Sequence, residues 1–379
     1  MKNERMFKNF LEMVKIASPS KNEKEIYEYL IEKLKNMGLT VETDNAGKKV
    51  GSNANNIYAV LEGNSDKEGI ILSVHMDTVV PAESQKPEIN GTIIKSDGNS
   101  VLGGDDKAGI AIVFEIIEKL KEEKINHGDI EVVITISEEI GLLGAKNFDV
   151  SRLKNDKALV FDMSGIDEIG YASIGQKKFY FDVLGKSSHA GMEPEKGINS
   201  IKIASDIISK IEVGQLDFET TANVGTINGG DETNIVPEKV SFSGEVRSHD
   251  PEKIDYYINK FINEGWEVIK KYPIKVDGEF IYPEFNYKIK DSYESFEINK
   301  NDRMIQNLLK AGNNLNRKQG LKKNNGGNDG NIYNKKGIKS VVIGIGMEDV
   351  HSVEEKIDYE NMKKVVELII EYMKVRKNP

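Results

Sequence analysis

Residues 69–78, GIILSVHMDT, carry an apolar, β-rich run directly into a histidine and an aspartate two positions apart. In an extended chain, side chains at i and i+2 point the same way, so His75 and Asp77 stand together where the strand leaves its sheet. Such a pair suits a metal-ligating imidazole whose second ring nitrogen is held by a carboxylate. It suits an ordinary hydrogen-bonded pair equally well. Working outward, 56–61 and 130–136 are further β-rich segments, and between the strands lies 106–120, with Ile110, Val113, Phe114, Ile117 and Leu120 on one helical stripe. Strands alternating with helices indicate an α/β sheet with covered faces.

Upstream, Phe7, Phe10, Leu11 and Val14 recur at helical spacing until Ser18-Pro19-Ser20 interrupts them. Ser20 and Glu23 then have the form of a capping box before a helix with Ile26, Leu30, Leu34 and Met37 on one face, ended by Gly38. Downstream, 157–161 is an apolar strand that runs out at Asp162. The texture then changes, with strands at 178–184 and 239–246 and helices at 198–211 and 251–271, as expected of an inserted α+β unit. A helix at 302–311, a strand at 339–344 and an amphipathic helix through Met362, Val365, Val366, Ile369 and Met373 resume the first pattern. The expected division is an α/β catalytic domain in two parts, 1–172 and 291–379, split by an insertion at 173–290. The Asn- and Gly-rich stretch 322–330 reads as a loop, and His127 as part of a surface turn.

Bulk properties narrow the function. The chain has 379 residues, more than one core usually serves, with 38% hydrophobic and 30% charged residues. A net charge of −10, mixed along the chain, disfavours nucleic acid as a partner. Cysteine is absent, which excludes disulfides, thiolate metal sites and a cysteine nucleophile. Neither a signal-peptide core nor a run of about 18 apolar residues occurs, so no membrane association is expected and the cytoplasm is the expected compartment.

Carboxylates recur at the ends of strands and in the loops after them: Asp77, Asp105 and Asp106 in LGGDDKAG, Glu138 and Glu139 in TISEEIG, and Asp162 in VFDMSG. Ligands of open α/β sheets bind outside the carboxyl ends of the strands. Taken singly, Asp105 or Asp106 reads equally well as a helix N-cap, Glu138-Glu139 as a solvated pair and Asp162 as a turn residue. Taken together they argue for metal, because buried paired acids are costly without a cation. His351, in GMEDVHSVEEKI, follows another buried strand. Two histidines and several carboxylates form a nitrogen and oxygen donor set suited to a pair of zinc ions, or to manganese or cobalt.

The chain resembles the zinc-dependent exopeptidases and amidohydrolases that include peptidase T, carboxypeptidase G and aminoacylase, and among them the peptidase T-like proteins. The resemblance rests on SVHMDTVVPA, LGGDDKAGIA, ISEEIGLLGA, GKSSHAGMEPEKGINSI, GTINGGDETNIVPEKVSFSGEVRSHDP and GMEDVHSVEE, in that order across residues 73–355. It implies a catalytic domain with a mixed central sheet flanked by helices and an inserted lid domain of the dimerisation type, leaving monomer and lid-mediated homodimer both open. By position, His75, Asp105 and Asp162 would bind one metal and Asp105, Glu139 and His351 the other, with Asp105 bridging. Asp77 would orient His75, and Glu138 would be the general base. The peptide bond after Asp105 would be cis. In the lid, His189 would stabilise the oxyanion, and Arg247 and Asn234 would hold substrate; Gly326, Gly327 and Asp329 of the late glycine-rich loop would line the pocket. The chain departs from the usual pattern at Gly104, where relatives commonly carry alanine, and in that loop, which puts substrate preference in doubt.

The expected activity is removal of the N-terminal residue from tripeptides or dipeptides. Cleavage of an N-acyl group or of a C-terminal amino acid is the alternative on the same site. A catalytically silent metal-binding scaffold is the alternative of another class, and phosphoester hydrolysis ranks below both for want of a basic cradle.

Overall fold

The computed structural model describes residues 4–82, 86–276 and 278–376. It divides into two compact units, Met1–Ser173 with Phe296–Pro379, and Ile174–Ser295.

The first unit is built on a nine-stranded sheet. Its centre has the order Ile130–Thr135, Ile70–His75, Lys157–Met163, Lys339–Gly344, and adjacent members of this set run parallel. All four carboxyl ends therefore open onto one edge, and the loops leaving that edge carry the acids and histidines. Antiparallel strands flank this centre, Ile57–Leu61 and Thr40–Thr43 on one side and Glu168–Ser173 on the other. Residues of the strand Ile70–His75 alternate between faces as the pleat requires. Ile70, Leu72 and Val74 enter the larger core beneath the helices Gly104–Glu122, Arg303–Asn314 and Tyr359–Val375, whereas Ile71 joins Tyr58, Val133, Phe148 and Tyr333 on the opposite face. Ser73 also points to that second face, where its hydroxyl meets Tyr333 Oη at 2.9 Å. The helix Gly104–Glu122 is apolar nearly all round, with Ile110, Ile112, Val113, Phe114, Ile116 and Ile117 each buried. It is a core helix rather than a surface one.

The second unit has a five-stranded antiparallel sheet in the order Gly214–Gln215, Thr220–Gly229, Lys239–Ser248, Gly175–Leu184, Glu284–Tyr293. Helices Ser200–Ile208 and Pro251–Ile269 bury Ile203, Ile207, Ile258 and Phe261 with Phe179, Phe181 and Phe242 of that sheet. Asp250 starts the second helix by accepting the Glu252 N–H at 2.9 Å, with Pro251 in the first turn.

Three expectations change here. Ser20 and Glu23 do not cap the helix Lys24–Asn36; Glu23 sits at its N-cap without a side-chain cap bond, and both side chains are recruited elsewhere. The stretch 322–330 is only partly loop, since Gly320–Asn324 pairs in parallel with Glu168–Ser173 and Asp329 opens the helix Asp329–Lys335, capped by Asn328. His127 is buried, with Nδ1 bonded to Gly128 O at 2.8 Å. Glu138 and Glu139 lie in the loop after their strand, beyond its end at Thr135, in a turn that Ser137 enters with a left-handed φ of 51°. Among the described residues, no helix is long and apolar enough to cross a membrane.

Candidate metal centre

Asp105 is placed by a sharp entry into its helix. Gly103 takes a left-handed φ of 71°, Asp105 and Asp106 leave helical backbone values, and the bond between them is cis. The two aspartates divide their tasks. Asp106 turns inward, accepting the Gly109 N–H and the His75 N–H, each at 3.1 Å, and so does the work of a cap. Asp105 projects into the centre, with Oδ1 at 3.1 Å from His75 Nε2 and Oδ2 at 3.3 Å from His351 Nε2. One carboxylate thus faces two imidazoles with separate oxygens.

His351, itself left-handed with φ 60°, also meets Glu139 Oε2 at 2.9 Å. His75, Asp105 and Glu139 form one group of potential metal donors, and His75, Glu138 and Asp162 another, with the donor atoms of each group within 4.8 Å of one another. His75 Nδ1 donates to the backbone carbonyl of Asp77 at 3.1 Å, which turns Nε2 toward the acids. The Asp77 carboxylate lies farther from the ring, with Oδ1 at 3.5 Å, because it is committed elsewhere. It accepts the Glu138 N–H at 2.9 Å and the Glu139 N–H at 3.2 Å, and Ser20 Oγ donates to it at 2.6 Å.

The electrostatics are those of a site short of positive charge. Burial first, and then neighbouring carboxylates, push Glu138 and Asp162 well above the ordinary range, and Glu139 is raised for the same reasons. Burial alone would lower His75, but its bonds to Asp105 and Asp77 more than offset that and hold it well above an ordinary histidine. Hydrogen bonds to Asp105 and Glu139 carry His351 to about 10. Burial opposes ionisation of Asp105, yet the two imidazoles hold it below the usual range. Glu139 Oε1 is buried without a hydrogen-bond partner, which a divalent cation would satisfy. An orphaned carboxylate oxygen, crowded acids and a donor set of imidazole and carboxylate fit metal ions of the zinc, cobalt or manganese kind.

Beside this cluster opens a cavity of about 250 Å³, lined among others by Met163, Ser164, Asn324, Gly326, Gly327 and Met347.

Comparison with known proteins adds to this geometry. The profile of Peptidase family M20/M25/M40 matches residues 71–375. The chain belongs to that family. It is 38% identical to the uncharacterised protein YqjE of Bacillus subtilis over 97% of this chain and 96% of that one. Its fold is similar to that of a tripeptidase from Staphylococcus aureus, with a TM-score of 0.90 and 34% identity over 98% and 97% of the two chains. It is also similar to the aminopeptidase PepT of Bacillus cereus, with a TM-score of 0.86 and 35% identity over 98% and 97%. As a member of the M20/M25/M40 peptidases, the chain is a hydrolase acting on peptides.

The other residues singled out in this M20 peptidase are placed as follows. Gly326 and Gly327 line the cavity. Asp329 is not among its lining residues; it is buried, with Oδ2 bonded to Thr135 Oγ1 at 2.5 Å, and burial raises it to about 6. In the second unit, His189 is exposed and Nδ1 accepts the N–H groups of Gly191 and Met192 at 3.2 and 3.1 Å, which leaves its proton on Nε2. Asn234 is its neighbour there, through the Ala190 N–H to Asn234 O bond of 2.9 Å. Arg247 Nε donates to Glu245 Oε1 at 2.7 Å.

Sequence reading passed over Glu355. Its buried carboxylate accepts the N–H groups of Gly103 at 2.8 Å and Asp105 at 3.0 Å, tying the loop of His351 to that of Asp105. The available signal was the second acid in HSVEE. At Gly104 an added Cβ would stand 3.0 Å from Glu355 Oε1, so a larger residue there would press on this carboxylate.

Proposed function

We propose that this chain is a dinuclear metal exopeptidase that removes the N-terminal residue from tripeptides or dipeptides. The observation that carries the reading is Asp105, whose two oxygens face His75 and His351 separately, as a carboxylate shared by two ions would. His75, Asp105 and Asp162 would hold one ion, and Asp105, Glu139 and His351 the other. Zinc is the first choice on the donor set, with cobalt and manganese as alternatives. When bound, the ions would acidify water and polarise the scissile carbonyl.

The chain's own residues supply the rest. Glu138, buried and held by its backbone to Asp77, takes a proton from the attacking water and passes it to the departing amine. Gly326 and Gly327 offer backbone on the wall of the cavity, against which the substrate chain would lie. The roles given to His189, Asn234 and Arg247 rest on their motif positions and local chemistry. His189 would donate from Nε2 to the carbonyl oxygen as it gains charge, and Arg247 with Asn234 would hold the substrate's carboxylate or backbone.

Two measurements test this. A panel of short peptides with free and blocked N-termini, assayed with metal content on the same sample, should show hydrolysis only where the amine is free. Turnover of N-acylated substrates instead would establish the deacylase alternative, and release of C-terminal residues the carboxypeptidase one. Glu138→Gln should keep its metal and lose several orders of magnitude in kcat. Undiminished hydrolysis by that variant would exclude the mechanism.

A further inference from the structure

The turn at residues 20–23 precedes residue 71, where the family match begins, and has the sequence of a helix cap without capping its helix. Its side chains instead reach the turn that carries Glu138. Glu23 Oε1 accepts both the N–H of Ser137, at 3.0 Å, and the hydroxyl of Ser137, at 2.7 Å. Its other oxygen accepts the Ser52 hydroxyl at 2.5 Å. Ser137 Oγ in turn accepts the Lys21 N–H at 3.2 Å. Ser20 Oγ holds Asp77, and the chain beside it is stapled to the end of the His75 strand by the bonds Thr78 N–H to Ser18 O and Ser20 N–H to Thr78 O, at 2.9 and 3.2 Å.

The result is that three successive peptide N–H groups, those of Ser137, Glu138 and Glu139, are all taken by buried carboxylates, the first by Glu23 and the next two by Asp77. Ser137 is also left-handed, with φ 51°, a conformation that non-glycine residues keep only where their surroundings impose it. Glu23 grips this residue by both its N–H and its hydroxyl. Release of Ser137 would let its backbone relax, and the direction of Glu138 would change with it.

We propose that Glu23, assisted by Ser20, is a positioning residue for Glu138, setting the aim of the base through the left-handed Ser137 without touching substrate or metal. This rests on the reading of Glu138 as the base. The test is kinetic, on metal-loaded full-length protein and a free tripeptide, with metal per chain measured on the same samples. Glu23→Ala should lower kcat roughly 10- to 100-fold, the scale of an ångström-sized misplacement, with KM and metal per chain as in the parent. Glu23→Gln should restore most of that turnover, because its amide oxygen still accepts both Ser137 donors and its NH₂ can donate to Ser52 Oγ. Parental kcat in Glu23→Ala would overturn the proposal. Loss of metal together with turnover in both variants would also overturn it, assigning Glu23 to the metal site by its charge. If Glu23→Ala does not fold, Ser20→Ala and Ser137→Ala decide. A several-fold fall in kcat at unchanged KM and metal supports the proposal, and parental kcat in both ends it. A parent that cleaves no peptide contradicts the exopeptidase reading instead, and the same comparison is then made on the amide it does hydrolyse.

Discussion

At the scale of single residues, Asp105 has the most demanding position. Its charge lies between two imidazoles, its N–H is held by Glu355, and its backbone leaves the helical region to bring both oxygens forward. Asp105→Asn keeps the shape but replaces one oxygen by a donor that cannot ligate a cation. Metal affinity should therefore fall by more than the roughly 10- to 100-fold typical of an outer partner, read by competition with a chelating dye. Parental affinity would remove the bridging assignment. His75, Asp105, Glu138 and Asp162 were legible in the sequence because each brings a chemically distinctive group to a strand end or the loop beyond one. Glu23 and Glu355 were not. A carboxylate that accepts backbone N–H groups looks, in sequence, like any surface acid, and their partners lie 114 and 250 positions away. The same holds for Asp329, where the sequence offers no sign that Thr135 draws the side chain away from the cavity.

Elements were read more easily than their ends. Apolar stripes located the helices Arg5–Val14, Lys24–Asn36 and Tyr359–Val375, since burial of one face decides whether a helix forms. Ends depend on single side chains with competing offers. Residues 198–211 read as one helix, but Ile198 pairs with Lys186 and Asn199 caps instead, accepting the Lys202 N–H at 3.0 Å, so the helix begins at Ser200. At residues 20–23 the local string for a cap was present, and the distant offers of Asp77 and Ser137 prevailed. Asp250 has no such competitor among its bonds and makes a plain cap. Asp250→Ala should therefore destabilise the helix Pro251–Ile269 by about 1 kcal/mol, within a range of roughly 0.5–2, seen as a lower denaturation midpoint. An unchanged midpoint would mean that the end of this helix is held by packing alone.

For the molecule as a whole, the metal centre makes stability depend on pH in a way that two preparations of one protein can isolate. Without metal, Glu138, Asp162 and Glu139 bind protons more tightly when folded than an unfolded chain does, and so do His75 and His351, the last to about 10. A raised pKa contributes stability that is complete below the unfolded value and is lost as pH rises through the folded one. Unfolded carboxyls titrate near 4 and histidine near 6.5, so the metal-free protein should lose stability from about pH 4 upward. Asp105, lowered by the two imidazoles, acts in the opposite sense, but only as pH falls below about 4. Bound cations would replace those protons and remove the loss. The gap in Tm between metal-loaded and chelator-stripped protein should accordingly widen from pH 5.5 to pH 8.5. Groups remote from the centre titrate alike in both preparations and cancel in the difference, so a gap that is constant or narrows over that range would contradict a cation site among these residues.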